Sequence, residues 1–435
     1  MTLLPETTRL IDVLVADAQA AGRAPSVVVG VVRDGTVAYI AGAGEHPAPA
    51  AGTQYRIGSI SKTLTAVLIM QLRDEGRLAL DDLLYRHLPG TPVGGVTLRQ
   101  LLGHAAGLQR EPDSAGWWER TTGTDVDTLL AGLTPDKLAF PPHRRYHYSN
   151  LAYGLLGAVL ERVTGKPWIE LVTDRVLAPL SMLRTTYHPH EPFAPGYVVH
   201  PLHGTLLEEP RTDTGAMAPA GQLWSTVTDL AKWAAFLADP VPEVLAPDTL
   251  TEMSAPVAIG DLESWSGGHG LGLELYRRGD RVLVGHGGSM PGYVALLAVH
   301  RRSRTGVVAY ANTYGFPIGS LGLAVLDEVL TREPAPAAPA WQPAGPPGPA
   351  VAELCGRWWW MGIPHDATAG AGEELVITRL GREPWRFVPE GPDRWRGHAG
   401  LNDGETLLVR RDPAGGVEAL DIATFVFSRD PDHLA

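Results

Sequence analysis

The chain of 435 residues has a single cysteine, only four lysines and no long apolar run. Cys355 alone excludes an intrachain disulfide framework and leaves too few thiols for a structural zinc site. No segment approaches the roughly 18 to 20 unbroken apolar residues of a membrane-spanning helix. The N-terminus, Met1-Thr2-Leu3-Leu4-Pro5-Glu6, has neither a positive n-region nor an apolar h-region. The expected setting is the cytoplasm, with no membrane partner. Formal net charge is −12 without a basic run, so nucleic acid is not an expected ligand. Histidines number 15, but His188 with His190 and His200 with His203 lie in proline-rich loops without a carboxylate at ligand spacing. No metal and no cofactor is expected.

The scarcity of lysine sharpens one stretch, Tyr55-Arg56-Ile57-Gly58-Ser59-Ile60-Ser61-Lys62. The other lysines, Lys137, Lys166 and Lys232, follow Thr134, Val163 and Asp229 by three residues, so Ser-x-x-Lys occurs once. The stretch reads as a short strand ending at Gly58 and a helix beginning at Ser59. Helical spacing then puts Lys62 one turn beyond Ser59 on the same face, and the helix N-terminus supplies N–H groups beside the hydroxyl. A serine needs such help, being a weak nucleophile at neutral pH. Beyond Lys62, Leu64, Val67, Leu68 and Leu72 recur as one buried face. A serine cap followed by a solvated lysine reads the same locally, so partners elsewhere must decide.

In chain order, residues 5–22 carry an amphipathic helix pattern with Leu10, Val13, Leu14, Ala18 and Ala21 on one side. Ser26 to Val32, the Asp34-Gly35 turn signal and Val37 to Ala41 predict a hairpin. Residues 77–140 read as helical and loop-like, with a short helix over Leu98 to His104. Leu151, Leu155, Val159 and Val163 mark a helix stopped by Gly165 and Pro167. Ser225 is the expected cap of a further helix. Strands are expected over Leu271–Tyr276, Arg281–Val284, Gly292–Val299 and Thr305–Tyr310, then a closing helix over Leu321–Leu330. The expected class is α+β: an antiparallel sheet flanked by helices and fed from both ends of residues 1–332, with a mainly helical lobe between. Residues 333–350 form a linker with seven prolines from Pro334 to Pro349. Residues 351–435 show strand-like runs at Trp358–Trp360, Leu375–Thr378, Trp385–Val388, Thr406–Val409 and Thr424–Phe427. They predict a separate, small antiparallel β-domain, a lipocalin-like barrel or a sandwich.

Two downstream motifs fit the serine. Tyr148-Ser149-Asn150 stands at a loop-to-helix boundary, where a phenol near an ammonium would be stabilised as phenolate and serve as base or relay. The Asn150 amide is suited to bind a substrate carbonyl or orient the lysine. Gly285-His286-Gly287-Gly288-Ser289 lies between two expected strands, and its glycines allow a substrate backbone to approach closely. The N–H after Gly288 could join that of Ser59 as an oxyanion hole, while His286 could bind a carboxylate or tune the tyrosine. A second Tyr-x-Asn, Tyr310-Ala311-Asn312, follows the glycine motif in chain order and reads as structural. Trp117, Trp118 and Trp224 are candidate cleft-lining residues. Gly-x-Ser-x-Gly of α/β-hydrolases is missing, since Gly287-Gly288-Ser289-Met290-Pro291 fails at its last position.

In this order and spacing the three motifs resemble the serine β-lactamase and penicillin-binding-protein superfamily, most closely its class C-like branch of D,D-peptidases, family VIII esterases and D-amino-acid peptidases. Leu101-Leu102-Gly103-His104-Ala105-Ala106-Gly107-Leu108 and Gly221-x-Leu223-x-Ser225-Thr226-x-x-Asp229-Leu230 extend the resemblance over roughly residues 5–332. It implies Ser59 as the acylated nucleophile and Lys62 and Tyr148 in proton transfer. Asn150 would position substrate, His286 and Gly288 would form the third motif, and the N–H groups of Ser59 and Ser289 the oxyanion hole. His286 stands where lactam-processing members usually have lysine, and the C-terminal domain is absent from simple β-lactamases. The implied activity is hydrolysis of an ester or amide through an acyl-enzyme, on a small-molecule or peptide substrate. The alternatives are a penicillin-binding-protein-type thioesterase or peptide cyclase with a carrier-protein-bound substrate, a D,D-carboxypeptidase or β-lactamase, and an inactive binding protein on the same fold.

Overall fold

Asp34 and Gly35 both take positive φ, 46° and 78°, the backbone that a tight two-residue hairpin turn needs and that Asp and Gly adopt cheaply. They fold Ser26–Arg33 (β1) back on Thr36–Gly44 (β2). The structure, a computed structural model, describes residues 2–113, 120–333 and 345–432. The chain divides into two units, residues 1–337 and 338–435.

The other strands of the first unit's large sheet come late in the chain. They are Ala258–Ile259 (β3), Gly267–His269 (β4), Glu274–Arg278 (β5), Arg281–Met290 (β6), Tyr293–His300 (β7) and Thr305–Ala311 (β8). The sheet order is β2-β1-β8-β7-β6-β5-β4-β3, with every neighbouring pair antiparallel. β1 meets β8 in the register Val28 with Tyr310. The two ends of the unit thus close one sheet, as the pattern predicts.

Five helices position this sheet and the site: Pro5–Gly22 (α1), Ser61–Asp74 (α2), Asn150–Thr164 (α3), Val227–Ala238 (α4) and Ile318–Arg332 (α5). Strand alternation sends Val27, Val29 and Val31 to the face that α1 and α5 cover, with Ile11, Val15, Val325 and Val329. Val28 and Val32 go to the other face, into the larger core shared with Leu230 and Trp233 of α4 and with the helical lobe. The buried stripe of α1 runs through Thr7, Ile11 and Val15. Val13, expected inside, is 55% exposed, because the stripe lies about half a turn from it.

Several local expectations change. α2 is buried on every side from Ser61 to Met70 rather than on one face. Its threonine hydroxyls are paired accordingly: Trp233 donates to Thr63 Oγ1 at 2.9 Å and Trp168 to Thr65 Oγ1 at 3.0 Å. Ser59 is not the first residue of that helix but sits in a separate 3₁₀ turn, Gly58–Ile60. The strand before it is only Tyr55–Arg56, paired with Trp224–Ser225 outside the large sheet. The α4 cap is Thr226, whose side chain accepts from Asp229 N–H, rather than Ser225. The glycine motif around His286 lies inside one continuous strand, β6, rather than between two. Trp224 is 1% exposed and packs edge-on against Tyr293 and Phe193. It is core, because pairing with the Tyr55 strand turns it inward, and it lines no cleft. Trp117 and Trp118, and residues 334–344 of the expected linker, lie outside the described residues.

The second unit is a closed antiparallel barrel of eight strands in sequence order. The five expected runs are strands, and Ile363–Ala369, Arg394–Ala399 and Val417–Ile422 complete the circle. Those three were illegible because arginine, glycine and acidic residues interrupt their alternation. Trp358 and Trp395 fill the interior with Phe387, Leu407, Leu420 and Phe427.

The Ser59 turn is clamped to β6 by backbone proximity. Gly58 has φ 51°, and a Cβ there would lie 2.5 Å from Ser289 N; one on Gly288 would lie 2.0 Å from Ile57 O. We therefore expect Gly288→Ala to destabilise the unit by about 2 kcal/mol or more. Gly287→Ala, whose Cβ would meet nothing nearer than Glu274 Oε2 at 3.5 Å, should stay within about 0.5 kcal/mol. Urea unfolding followed by tryptophan fluorescence measures both, and equal losses would refute the clamp.

Candidate active site

Lys62 Nζ lies 2.9 Å from Ser59 Oγ and 2.6 Å from the Ala220 carbonyl oxygen. The side chain is fully enclosed, since α2 has no exposed face at this level. Burial disfavours the ammonium form and pushes the Lys62 pKa down to about 7, against the opposing pull of Glu111 and Glu274. At neutral pH a large share of the amine is therefore uncharged, with a lone pair beside the serine hydroxyl.

Tyr148 precedes Ser149, the N-cap of α3, whose side chain accepts from Ala152 N–H at 3.1 Å. This cap sets the loop-to-helix corner that turns Tyr148 into the site. The phenol lines the same cavity as Ser59, and its ring lies 5.2 Å from Lys62 Nζ. Its charge state is the reverse of the phenolate expectation. Burial, reinforced by the Glu274 carboxylate, holds the Tyr148 pKa well above its ordinary value. An amine that is itself largely neutral offers little to offset this. Tyr148 is a phenol at neutral pH, fitted to donate or relay a proton.

Asn150 directs its Nδ2 to Glu111 Oε1 at 2.7 Å, and its buried Oδ1 has no hydrogen-bond partner. His286 is buried, and its Nδ1–H donates to the Gly287 carbonyl at 2.5 Å. Burial pushes the ring's pKa down to about 4, so at neutral pH it has no charge with which to hold a carboxylate.

The backbone of β6 supplies the rest. β5 pairs with β6 only as far as Glu274 opposite Gly285. From His286 to Met290, β6 is paired on the β7 side, and its other edge is free of any strand among the described residues. Gly287 N–H points to that edge and donates to Glu274 Oε2 at 2.7 Å. Backbone groups alternate along a strand, so Ser289 N–H, two residues on, points the same way, beside the Gly58–Ile60 turn. Ser59, Arg110, Tyr148, Asn150, Glu274, His286, Gly288 and Ser289 all line one cavity of about 500 Å³, whose apolar wall includes Leu296, Phe316 and Ile318.

Glu274 is the residue sequence reasoning missed. Its carboxylate also accepts from Tyr276 OH and stands 3.8 Å from both His269 Nε2 and His286 Nδ1. Burial alone would raise its pKa, but the neighbouring histidines and hydroxyl outweigh this and hold it well below the carboxylate range. The only sequence signal was an acid inside a strand pattern. His104 and His269 were likewise unassigned, and with His286 they place ring nitrogens within 4.8 Å of one another. Ser149 N–H donates to His104 Nδ1 at 3.1 Å, so the neutral ring carries its proton on Nε2. A protonated nitrogen is no metal ligand. His104 instead stacks on Tyr148, ring centroids 4.3 Å apart, and backs the phenol. Asn312, of the second Tyr-x-Asn, is structural as expected: it accepts from Ser26 N–H and donates to the His46 and Pro195 carbonyls.

Several known proteins resemble this chain. "Beta-lactamase-like protein 2" of Dictyostelium discoideum is 28% identical over 274 residues, 58% of this chain and 48% of its own length; the chain thus spans about half of that relative. "Putative beta-lactamase-like 1" of Homo sapiens is 28% identical over 413 residues, 89% of this chain and 81% of its own. Among solved structures, a D-stereospecific amidohydrolase from Streptomyces sp. superposes with a TM-score of 0.65 at 27% identity, covering 73% of this chain and 98% of the other. Residues 347–429 match a domain of unknown function, DUF7586. Residues 11–329 match the family described as Beta-lactamase, and the chain belongs to that family.

Proposed function

We propose that the protein is a serine hydrolase that cleaves an ester or amide through an acyl-enzyme on Ser59. The observation that carries this reading is the enclosed Lys62 amine, 2.9 Å from Ser59 Oγ and with its pKa brought down to about 7. A neutral amine in that position takes the serine proton as Oγ attacks the substrate carbonyl carbon. The carbonyl electrons move to oxygen, which the N–H groups of Ser59 and Ser289 receive. Collapse expels the amine or alkoxide, which collects the proton from Lys62 by way of the Tyr148 hydroxyl. Water then attacks the acyl-enzyme, its proton returns along the same path, and Ser59 is released. A cavity of about 500 Å³ suits a small molecule or the end of a peptide. The relative named for D-stereospecific amide hydrolysis makes amides of D-residues the first substrates to try.

Intact mass after treatment with a fluorophosphonate tests the nucleophile. The parent should gain one adduct and Ser59→Ala none; a variant that labels and turns over p-nitrophenyl acetate like the parent would sink the reading. A panel adding D- and L-amino-acid amides, nitrocefin and a peptidyl thioester separates amidase, β-lactamase and cyclase activities. Lys62→Ala should lower kcat by roughly 10²- to 10⁴-fold with KM little changed.

The pH dependence has a definite sign. Only the neutral form of Lys62 accepts the proton, so the rate of fluorophosphonate labelling should rise about tenfold per pH unit below 7 and level off above it. A profile that is flat between pH 5 and 7 would remove Lys62 as the base.

A further inference from the structure

Glu274 enters the nucleophile's cavity on the open edge of β6, and nothing in the acyl-enzyme steps uses it. We propose that Glu274 binds a protonated amine of the substrate, so that the preferred acyl donors are amino-acyl or peptidyl amides and esters whose free α-amine adjoins the scissile carbonyl. This inference rests on the acyl-enzyme reading of Ser59 and deepens it to a substrate class.

Charge comes first. The carboxylate is ionised at neutral pH, held by Tyr276 OH and the Gly287 N–H. His286 is uncharged there, and Lys62 is largely so above pH 7. Arg110, the other ionic group on the cavity wall, is 65% exposed and stands 3.4 Å from Glu111. Glu274 is thus an anion on this cavity with no lysine or arginine paired to it among the described ion pairs, its partners there being His269 and His286. A cavity with that charge favours a cation over a carboxylate. Among the described residues, the partner of Glu274 Oε1 is His269 Nε2 at 3.8 Å, beyond hydrogen-bond length. That oxygen therefore keeps capacity for a donor.

Spacing agrees. Gly287 N–H, on which the carboxylate rests, and Ser289 N–H, the oxyanion donor, are two residues apart on the same edge, about 7 Å. In an amino-acyl group the carbonyl oxygen and α-nitrogen are about 3 Å apart by standard bond lengths. One hydrogen bond of about 2.9 Å from amine to carboxylate brings the reach to about 6 Å, and the shortfall is within the roughly 2.2 Å that separates the two carboxylate oxygens. An α-amine reaches Glu274 while its own carbonyl sits at Ser289.

The test compares three p-nitroanilides on the full chain: alanyl (D and L), N-acetylalanyl and propionyl, the last lacking the amine altogether. The parent should favour an alanyl substrate over both others by about 10-fold or more in kcat/KM. Glu274→Gln should lower kcat/KM for that substrate by about 10- to 100-fold, mostly through KM, and lower it by a smaller factor for the propionyl substrate, which has no amine to lose. Glu274→Asp should recover part of the loss. A parent that favours the N-acetyl or propionyl substrate overturns the proposal without any variant. So does a Glu274→Gln enzyme that slows all substrates equally. If Ser59 still labels with fluorophosphonate in those cases, the acyl-enzyme reading stands and only the amine site falls; if Ser59 does not label, both fall.

Discussion

The enclosure of one amine governs this site. Lys62 projects from a helix that is buried all round, and its polar neighbours at hydrogen-bond distance are the Ser59 hydroxyl and the Ala220 carbonyl. Moving its pKa from 10.5 to about 7 corresponds to roughly 5 kcal/mol against the ammonium form. The penalty on the fold is full below pH 7 and shrinks as pH rises toward 10.5, where the unfolded chain also loses the proton. The shift is thus a cost to stability in acid. It is sustained by a helix locked on several sides, where even Thr63 and Thr65 serve as acceptors for the indoles of Trp233 and Trp168.

A second constraint places the serine. The Gly58 turn and β6 approach so closely that neither Gly58 nor Gly288 has room for a Cβ. Stopping the β5 pairing at Gly285 leaves the far half of β6 with an open edge beside that turn. The place of Ser59 beside β6 and the open strand edge next to it follow from these two facts. Both belong to chain packing rather than to any reactive side chain.

The charges of the surrounding groups are set by burial more than by pairing. Tyr148 stays a phenol, His286 stays neutral, and Glu274 keeps its charge, because hydroxyl, amide and histidines converge on it. Where lysine is usual in the lactam-processing members that the motifs resemble, this cavity has a neutral histidine beside a carboxylate.

What the sequence by itself determined is the local chemistry and the class of fold. Ser59 and Lys62 meet because their spacing is one turn, Asn150 opens a helix because Ser149 caps it, and the first hairpin turns at Asp34-Gly35. In each case the cause lies within a few residues. Tertiary structure decided what depends on distant neighbours. By removing water from both it lowered the Lys62 pKa and raised that of Tyr148, and it drew Trp224 into the core. It carried the glycine motif into the middle of a strand, and brought Glu274, His269 and His104 to the serine from remote parts of the chain. Spacing along a helix or turn is encoded locally, whereas desolvation and charge coupling exist only once the chain has folded around the group.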